Sequence, residues 1–310
     1  MGVNMQKAVV TGANGFIGSS LVKLLVKKNI EVLALDLPEH AYNLPKTDLV
    51  TFQPFQLDRT DDFYERIKGA ECDVFYHFAW AGSAGESRAN TRLQLNNAQW
   101  TVDCVRLAKK MGCHRFIGAG SIMEKETLEA VTRQESHPGL GYIYGASKLV
   151  AHCMSKVIAS EEGIEHLWGI ITNAYGPGEV SPRFINTTLR KILRKQPLQF
   201  TSAIQNYDFI YIDDVVNAFY LIGEKGKPYK EYVIGSGEAK PLKSFILEIQ
   251  ELLAQEEKFV FGDVPFTGTN LDISYFNCEE TLHDIEFTPR ISFSNGLIKT
   301  FEWLKEMEDR

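Results

Sequence analysis

The sequence holds little cysteine and no long apolar run. Its five cysteines, Cys72, Cys104, Cys113, Cys153 and Cys278, include no close pair, which argues against a disulfide framework and a zinc knuckle alike. Reduced thiols and no metal site are expected. No apolar stretch approaches the roughly 18 residues of a membrane span, so no membrane association is expected. MGVNMQKAVV runs straight into a strand-like segment without a signal-peptide core, which points to a cytoplasmic chain. Positive charge is not in excess either: a formal net charge of -7 over 310 residues leaves no footprint for nucleic acid. Repeats, low-complexity segments and linkers are missing as well. What is there is an ordinary globular composition, 44% hydrophobic and 24% charged.

Apolar runs alternate with amphipathic stretches. AVVTG is followed by NGFIGSSLVKLLVKK with apolar residues at helical spacing, then by EVLALD; further runs occur at VTFQPFQLD, DVFYHFAW and RFIGAGS. Strands alternating with helices imply a parallel sheet covered on both faces, wound in the doubly wound (Rossmann) manner. After about residue 170 turn formers dominate, and FIYIDDVVNAFYLI and YVIGSGEAK read as isolated units. The expected organisation is therefore α/β. A dinucleotide-binding domain covers 1–170, with 205–225 woven back into it, and a smaller substrate-binding lobe comprises 171–204 and 226–310.

TGANGFIG places Gly12, Gly15 and Gly18 between the first strand and the first helix, with Phe16 and Ile17 opening that helix. A pyrophosphate needs such a turn: close backbone approach, and free amides at a helix end that carries partial positive charge. The glycines alone also fit an ordinary strand-to-helix turn. Asp36, closing the second strand, tips the balance, since an acid there accepts hydrogen bonds from the adenosine ribose. The same carboxylate repels a 2′-phosphate, and no arginine follows in LPEHAYNL, so NAD is favoured over NADP.

Three Tyr/Lys pairs stand four residues apart: Tyr42 and Lys46, Tyr64 and Lys68, Tyr144 and Lys148. Pro45 denies the first a regular helix. The second lies in the charged DDFYERIKGAE, which reads as a solvated helix face. Only the third follows a strand ending in a hydroxyl residue, Ser121, and opens a long helix on which the two side chains share a face.

In these residues the sequence resembles the extended short-chain dehydrogenase/reductase family, particularly its nucleotide-sugar epimerases, dehydratases and reductases. TGANGFIG matches the phosphate loop, Leu57 and Asp58 of QLD the adenine side, and Phe78, Ala79 and Trp80 of HFAW the cofactor-lining segment. Asn96 matches a helix asparagine, RFIGAGS brings in Ser121, and YGASK supplies Tyr144 and Lys148. The resemblance implies that Tyr144 takes a proton from a sugar hydroxyl while hydride passes to the nicotinamide. Lys148 would stabilise the phenolate and orient the nicotinamide ribose, and Ser121 would hydrogen-bond the sugar oxygen.

In the second lobe the resemblance makes Asn173 of NAYGPG a diphosphate ligand and puts Arg183 and Phe184 beside the base and phosphates. Tyr207 stands where relatives carry arginine, which leaves the phosphate contact to Arg183. The dehydratases' Asp-Glu pair after the hydroxyl residue is incomplete here, because Ile122, Met123 and Glu124 follow Ser121; Glu124 and Glu126 are expected on a solvated loop. The leading expectation is an NAD-dependent nucleotide-sugar 4-epimerase, homodimeric as relatives are. A reductase of a 4-keto-6-deoxy nucleotide sugar is the alternative, and a non-catalytic dinucleotide sensor is a third, opposed by the intact Ser121, Tyr144 and Lys148 set.

Overall fold

The computed structural model describes residues 4–39, 43–67 and 69–309. The apolar runs become β1 (Lys7–Thr11), β2 (Glu31–Asp36), β3 (Val50–Pro54), β4 (Val74–His77), β5 (Arg115–Ser121) and β6 (Glu165–Ile171), joined by β7 (Glu231–Ile234). These seven strands form one parallel sheet in the order β7-β6-β5-β4-β1-β2-β3. The order reverses between β1 and β4, which opens a crevice at their carboxyl ends where doubly wound sheets bind ligands.

Successive side chains of each strand feed opposite faces. Val10, Ala34 and Tyr76 enter one core and Val9, Leu35 and Phe75 the other. Helices α1 (Phe16–Lys27), α2 (Thr60–Arg66), α3 (Thr91–Lys110), α4 (Met123–Thr132), α5 (Tyr142–Glu162), α6 (Phe184–Leu193) and α7 (Ile212–Lys225) follow in chain order. α1 packs against α7 and α3 against α5.

α7 thus lies against the sheet beside α1. The stretch YVIGSGEAK corrects the expected boundary, because Glu231–Ile234 is not an isolated unit of a second lobe but the edge strand of the main sheet, paired with β6. Its alternating burial, with Tyr232 and Ile234 inward, hides it from a search for the continuous apolar runs of a parallel sheet.

α5 carries the long buried stripe Tyr144, Ser147, Lys148, Ala151, Ser155 and Ala159. The small residues let the helix sit close to its neighbours: a Cβ on Gly145 would stand 2.1 Å from Thr127 Oγ1 and 2.4 Å from Met123 O of α4. Gly163, with φ of 66°, ends it in the left-handed conformation. At the first turn of the fold, Gly12 has φ of +66°, and a Cβ on Gly18 would meet Gly12 O at 2.0 Å.

Gly18→Ala must therefore push α1 off the loop. It should lower stability by about 1–3 kcal/mol, the scale of overpacking, and weaken dinucleotide binding at least tenfold. Urea unfolding and cofactor titration check this; wild-type values in both would contradict the packing described.

Candidate active site

Ser121 and Tyr144 meet at the inner wall of a cavity of about 290 Å³ beyond the carboxyl ends of β5 and β6, which Asn173, Arg183, Phe184 and Tyr207 also line. The fold thus gathers two of the three catalytic candidates on this wall and every substrate-side candidate into one space, while the third, Lys148, does not line it. Ser121 ends β5 and shares this wall with Tyr144, and its Oγ accepts from Met123 N at 3.2 Å.

Tyr144 is 8% exposed and Lys148 6%. Burial holds the Tyr144 hydroxyl above the ordinary phenol range, opposed first by the charges of Arg183 and Arg88, while Glu124 adds to the rise and the Ser121 side chain works against it. Lys148 is brought down to about 7 by burial, with Glu124 pulling the other way. Its Nζ donates to Ala119 O at 2.8 Å and sits 3.7 Å from the Trp80 ring centroid. Arg183 and Arg88 thus act on the Tyr144 phenol, and Lys148, held at the strand end, keeps its Nζ 5.9 Å from the Tyr144 ring centroid. Neither rival pair can be compared in full, since Tyr42 and Lys68 lie outside the described residues.

The phosphate loop fits a dinucleotide. Gly15 caps α1 without a side-chain hydrogen bond, and no acid occupies its first turn, so nothing from the chain competes for an anion at Phe16, Ile17 and Gly18. A side chain on Gly12 would strike the Ala79 backbone at 2.8 Å; Phe78 and Ala79 donate their N–H groups to Thr11 Oγ1 at 3.2 Å each. Asp36 accepts from Asn14 N and Leu37 N, both at 2.8 Å, which fixes the carboxylate at the end of β2. Leu57 and Asp58 sit in the turn beyond β3, beside Asp36, whose carbonyl accepts from Phe55 N at 2.8 Å.

One assignment is corrected by a single residue. Asn96 is exposed, while Asn97 is buried and ties down the segment after β4: its Oδ1 accepts from Ala81 N at 2.9 Å and its Nδ2 donates to Ala81 O at 2.8 Å. Neighbours on a helix point about 100° apart, and only Asn97 falls on the buried face of α3 with Gln94 and Thr101.

Glu124 and Glu126 are not on a solvated loop either, since both lie in the first turn of α4. Glu124 is 1% exposed. It accepts from Ser121 N at 2.9 Å and Trp168 Nε1 at 3.1 Å, with His152 Nδ1 at 3.3 Å. Glu126 lines the cavity, and burial pushes its carboxyl up to about 7 against the pull of Arg88.

Asn173 donates to Asp208 O at 3.1 Å while lining the cavity. Arg183 caps α6 and pairs with Glu179 through Nε at 3.2 Å. Phe184 stacks on Phe209, and burial takes the Tyr207 hydroxyl up to about 12. Arg88, in the 3-10 turn Gly85–Ala89, was not singled out by the sequence. Its Cζ lies 4.4 Å from the Tyr144 ring centroid. The signal was ESR in a short stretch after the fourth strand, a lone arginine with nothing local to mark it.

Residues 8–235 match the NAD dependent epimerase/dehydratase family. Human dTDP-D-glucose 4,6-dehydratase is 25% identical over 333 residues, which cover 97% of this chain and 90% of that protein. The dTDP-4-dehydro-6-deoxyglucose reductase of Escherichia coli is 25% identical over 317 residues, 96% and 97% of the two chains. The Bordetella bronchiseptica enzyme WbmF in complex with NAD+ and UDP shares the fold, with a TM-score of 0.79, 22% identity and coverage of 98% and 93%.

Tyr144→Phe should preserve the fold and lower turnover roughly a hundredfold or more, the scale of acid-base catalysis, while Tyr64→Phe leaves it unchanged; equal losses at both would remove Tyr144 from the chemistry. Glu126 supplies a test through pH. Its carboxyl is raised from 4.5 to about 7, so between those values the folded protein keeps a proton that the unfolded chain releases. That contribution to stability is complete below 4.5 and is lost as pH rises through 7. Wild type should therefore lose stability relative to Glu126→Gln between pH 5 and 8 in urea titrations, and parallel curves would refute the burial of this charge.

Proposed function

This chain belongs to the NAD dependent epimerase/dehydratase family, whose relatives here are NAD-dependent enzymes of nucleotide sugars, and we propose that it is a 4-epimerase working through a transient 4-keto sugar. The supporting observation is the inner wall of the cavity. Ser121 and Tyr144 both line it, while the next two positions, Ile122 and Met123, carry no acid and Glu124 is engaged by Trp168 and His152.

NAD, when bound, accepts and returns a hydride. The residues that would hold it are the amides opening α1, Asp36 at the ribose, and the Phe78–Trp80 segment. Tyr144 takes the proton of the sugar 4-hydroxyl and gives it back, and Ser121 donates a hydrogen bond to the same oxygen. The positive charge of Arg88 and Arg183 favours the phenolate that does this. Lys148, fixed on Ala119 O, holds the end of β5 and the first turns of α5 in register.

Epimerisation requires the ketone to present its opposite face before the hydride returns, so nothing is lost from the sugar and no cofactor is consumed. Dehydration would additionally need an acid that delivers a proton to the leaving hydroxyl; Glu126, which lines the same cavity, would have to supply it, five positions past Ser121 and not directly after it. Asp36 supports NAD over NADP, by at least tenfold or about 1.4 kcal/mol, since a carboxylate at the end of β2 would repel a 2′-phosphate on the ribose it is expected to bind.

The test uses uridine and thymidine diphosphate sugars carrying deuterium at carbon 4, incubated with the purified protein and NAD+ or NADP+. The expected product is the 4-epimer with the label retained at carbon 4 and no net NADH, more efficiently with NAD+. A 4-keto-6-deoxy product would replace the proposal by dehydration, and stoichiometric NAD(P)H consumption on a 4-keto sugar would replace it by reduction.

A further inference from the structure

Arg88 is a cation whose needs the chain does not meet. Its Nε is buried without a hydrogen-bond partner, and among the described residues no carboxylate forms an ion pair with it. Burial even draws the guanidinium below its ordinary range. Leaving a charged donor unsatisfied in a protein costs more than a typical hydrogen bond returns, so such a group marks a place where a ligand completes the structure.

The segment is also held in place. Gln94 Nε2, from the buried face of α3, donates to Gly82 O at 2.9 Å and Ser87 O at 3.1 Å, and Asn97 clamps Ala81 on both sides. The turn that carries Arg88 is therefore fixed from beneath by α3, and the guanidinium rests on the Tyr144 ring at 4.4 Å.

Resting on the 4-epimerase reading, we infer that Arg88 binds a carboxylate on the sugar ring, so that the substrate is an acidic nucleotide sugar. Position decides between the sugar and the diphosphate. The sugar carbon that Tyr144 serves must lie within hydrogen-bond reach of its hydroxyl, and the substituents of that same ring then fall beside a guanidinium seated on the Tyr144 face. Arg183, which heads the ten-residue helix α6, is the anchor this reading leaves to the diphosphate, although its charge reaches Tyr144 as well.

Charge decides between a carboxylate and a hydroxyl. Arg183 already has Glu179 at 3.2 Å. The groups of the cavity that act on Arg88 are Tyr144, Arg183, Glu126 and Tyr207; Glu126 is the one carboxyl among them and, pushed up to about 7, is a poor counter-ion at neutral pH. A planar fork with an unpaired edge matches a carboxylate in shape and charge. A neutral sugar would leave the charge uncompensated, and sites built to pair a buried group discriminate strongly against ligands that lack the partner.

The test compares UDP-glucuronate, UDP-glucose and UDP, and the thymidine series in parallel, by calorimetric Kd on the NAD-loaded protein and by KM and kcat where turnover occurs. Wild type should bind the uronate at least tenfold more tightly than the neutral sugar. Arg88→Gln should bring that ratio close to one, through KM more than kcat, and Arg88→Lys should keep only part of it. Because both sugars use the same Tyr144, any effect of the lost charge on the phenol cancels in the ratio. NAD affinity reports on folding, and if the Gln variant fails to fold, a fall of threefold or more in the Lys variant carries the test. A ratio near one in wild type, a ratio unchanged by either substitution, or an equal loss of affinity for bare UDP would overturn the inference. Binding of the diphosphates without acidic preference sinks the inference alone; failure of every nucleoside diphosphate to bind sinks the nucleotide-sugar reading and the inference with it.

Discussion

The hydrogen bond from Lys148 Nζ to Ala119 O, 2.8 Å long, fastens α5 to the end of the strand that delivers Ser121. A buried ammonium is tolerable only where its charge finds an acceptor, and Ala119 offers one where the β4 ladder has ended at Gly118 while β5 runs on beside β6 to Ser121. Tyr144, one helical turn earlier on the same face, is thereby aimed at Ser121. The small residues around this pair matter as much as the pair. With a larger side chain than Gly145 the helix would stand off from α4, and neither functional group would reach the strand end.

A second layer supports this contact. Trp168 covers Gly118 and Gly120 of β5 so closely that a Cβ on either would overlap its ring, and it stacks on His152 of α5 at 4.7 Å. Its indole N–H and the Ser121 amide share Glu124 Oε1. The carboxylate therefore acts as a bracket between β5, β6 and α5. The sequence suggests a solvated loop for it, and in three dimensions it is buried and structural.

What was legible in the sequence follows from this. Gly12, Gly18 and Asp36 could be read because a strand-to-helix turn around a pyrophosphate imposes local backbone demands that few residues meet. Tyr144 and Lys148 could be read because helical spacing and the preceding Ser121 sit within one stretch of chain. Asn97 was missed by one position, since choosing between adjacent asparagines requires the phase of α3 relative to a loop it has not yet met. Glu124 was misplaced because Trp168 and His152 reach it from distant segments. β7 was misplaced because an edge strand of four residues alternates where central parallel strands do not. Arg88 had no local signature at all, since its role comes from Gln94 and Asn97 holding the turn against Tyr144.

The cavity electrostatics run against the chain as a whole. The sequence carries a net charge of -7, yet the cations acting on Tyr144 are Arg88 and Arg183, opposed by Glu124. Glu126, which faces the same space, sits where burial favours its neutral form. Of these two cations Arg183 is paired with Glu179, whereas Arg88 has no paired carboxylate among the described residues, so the charge reaching the phenol comes from one arginine already held by an acid and one left to whatever enters the cavity.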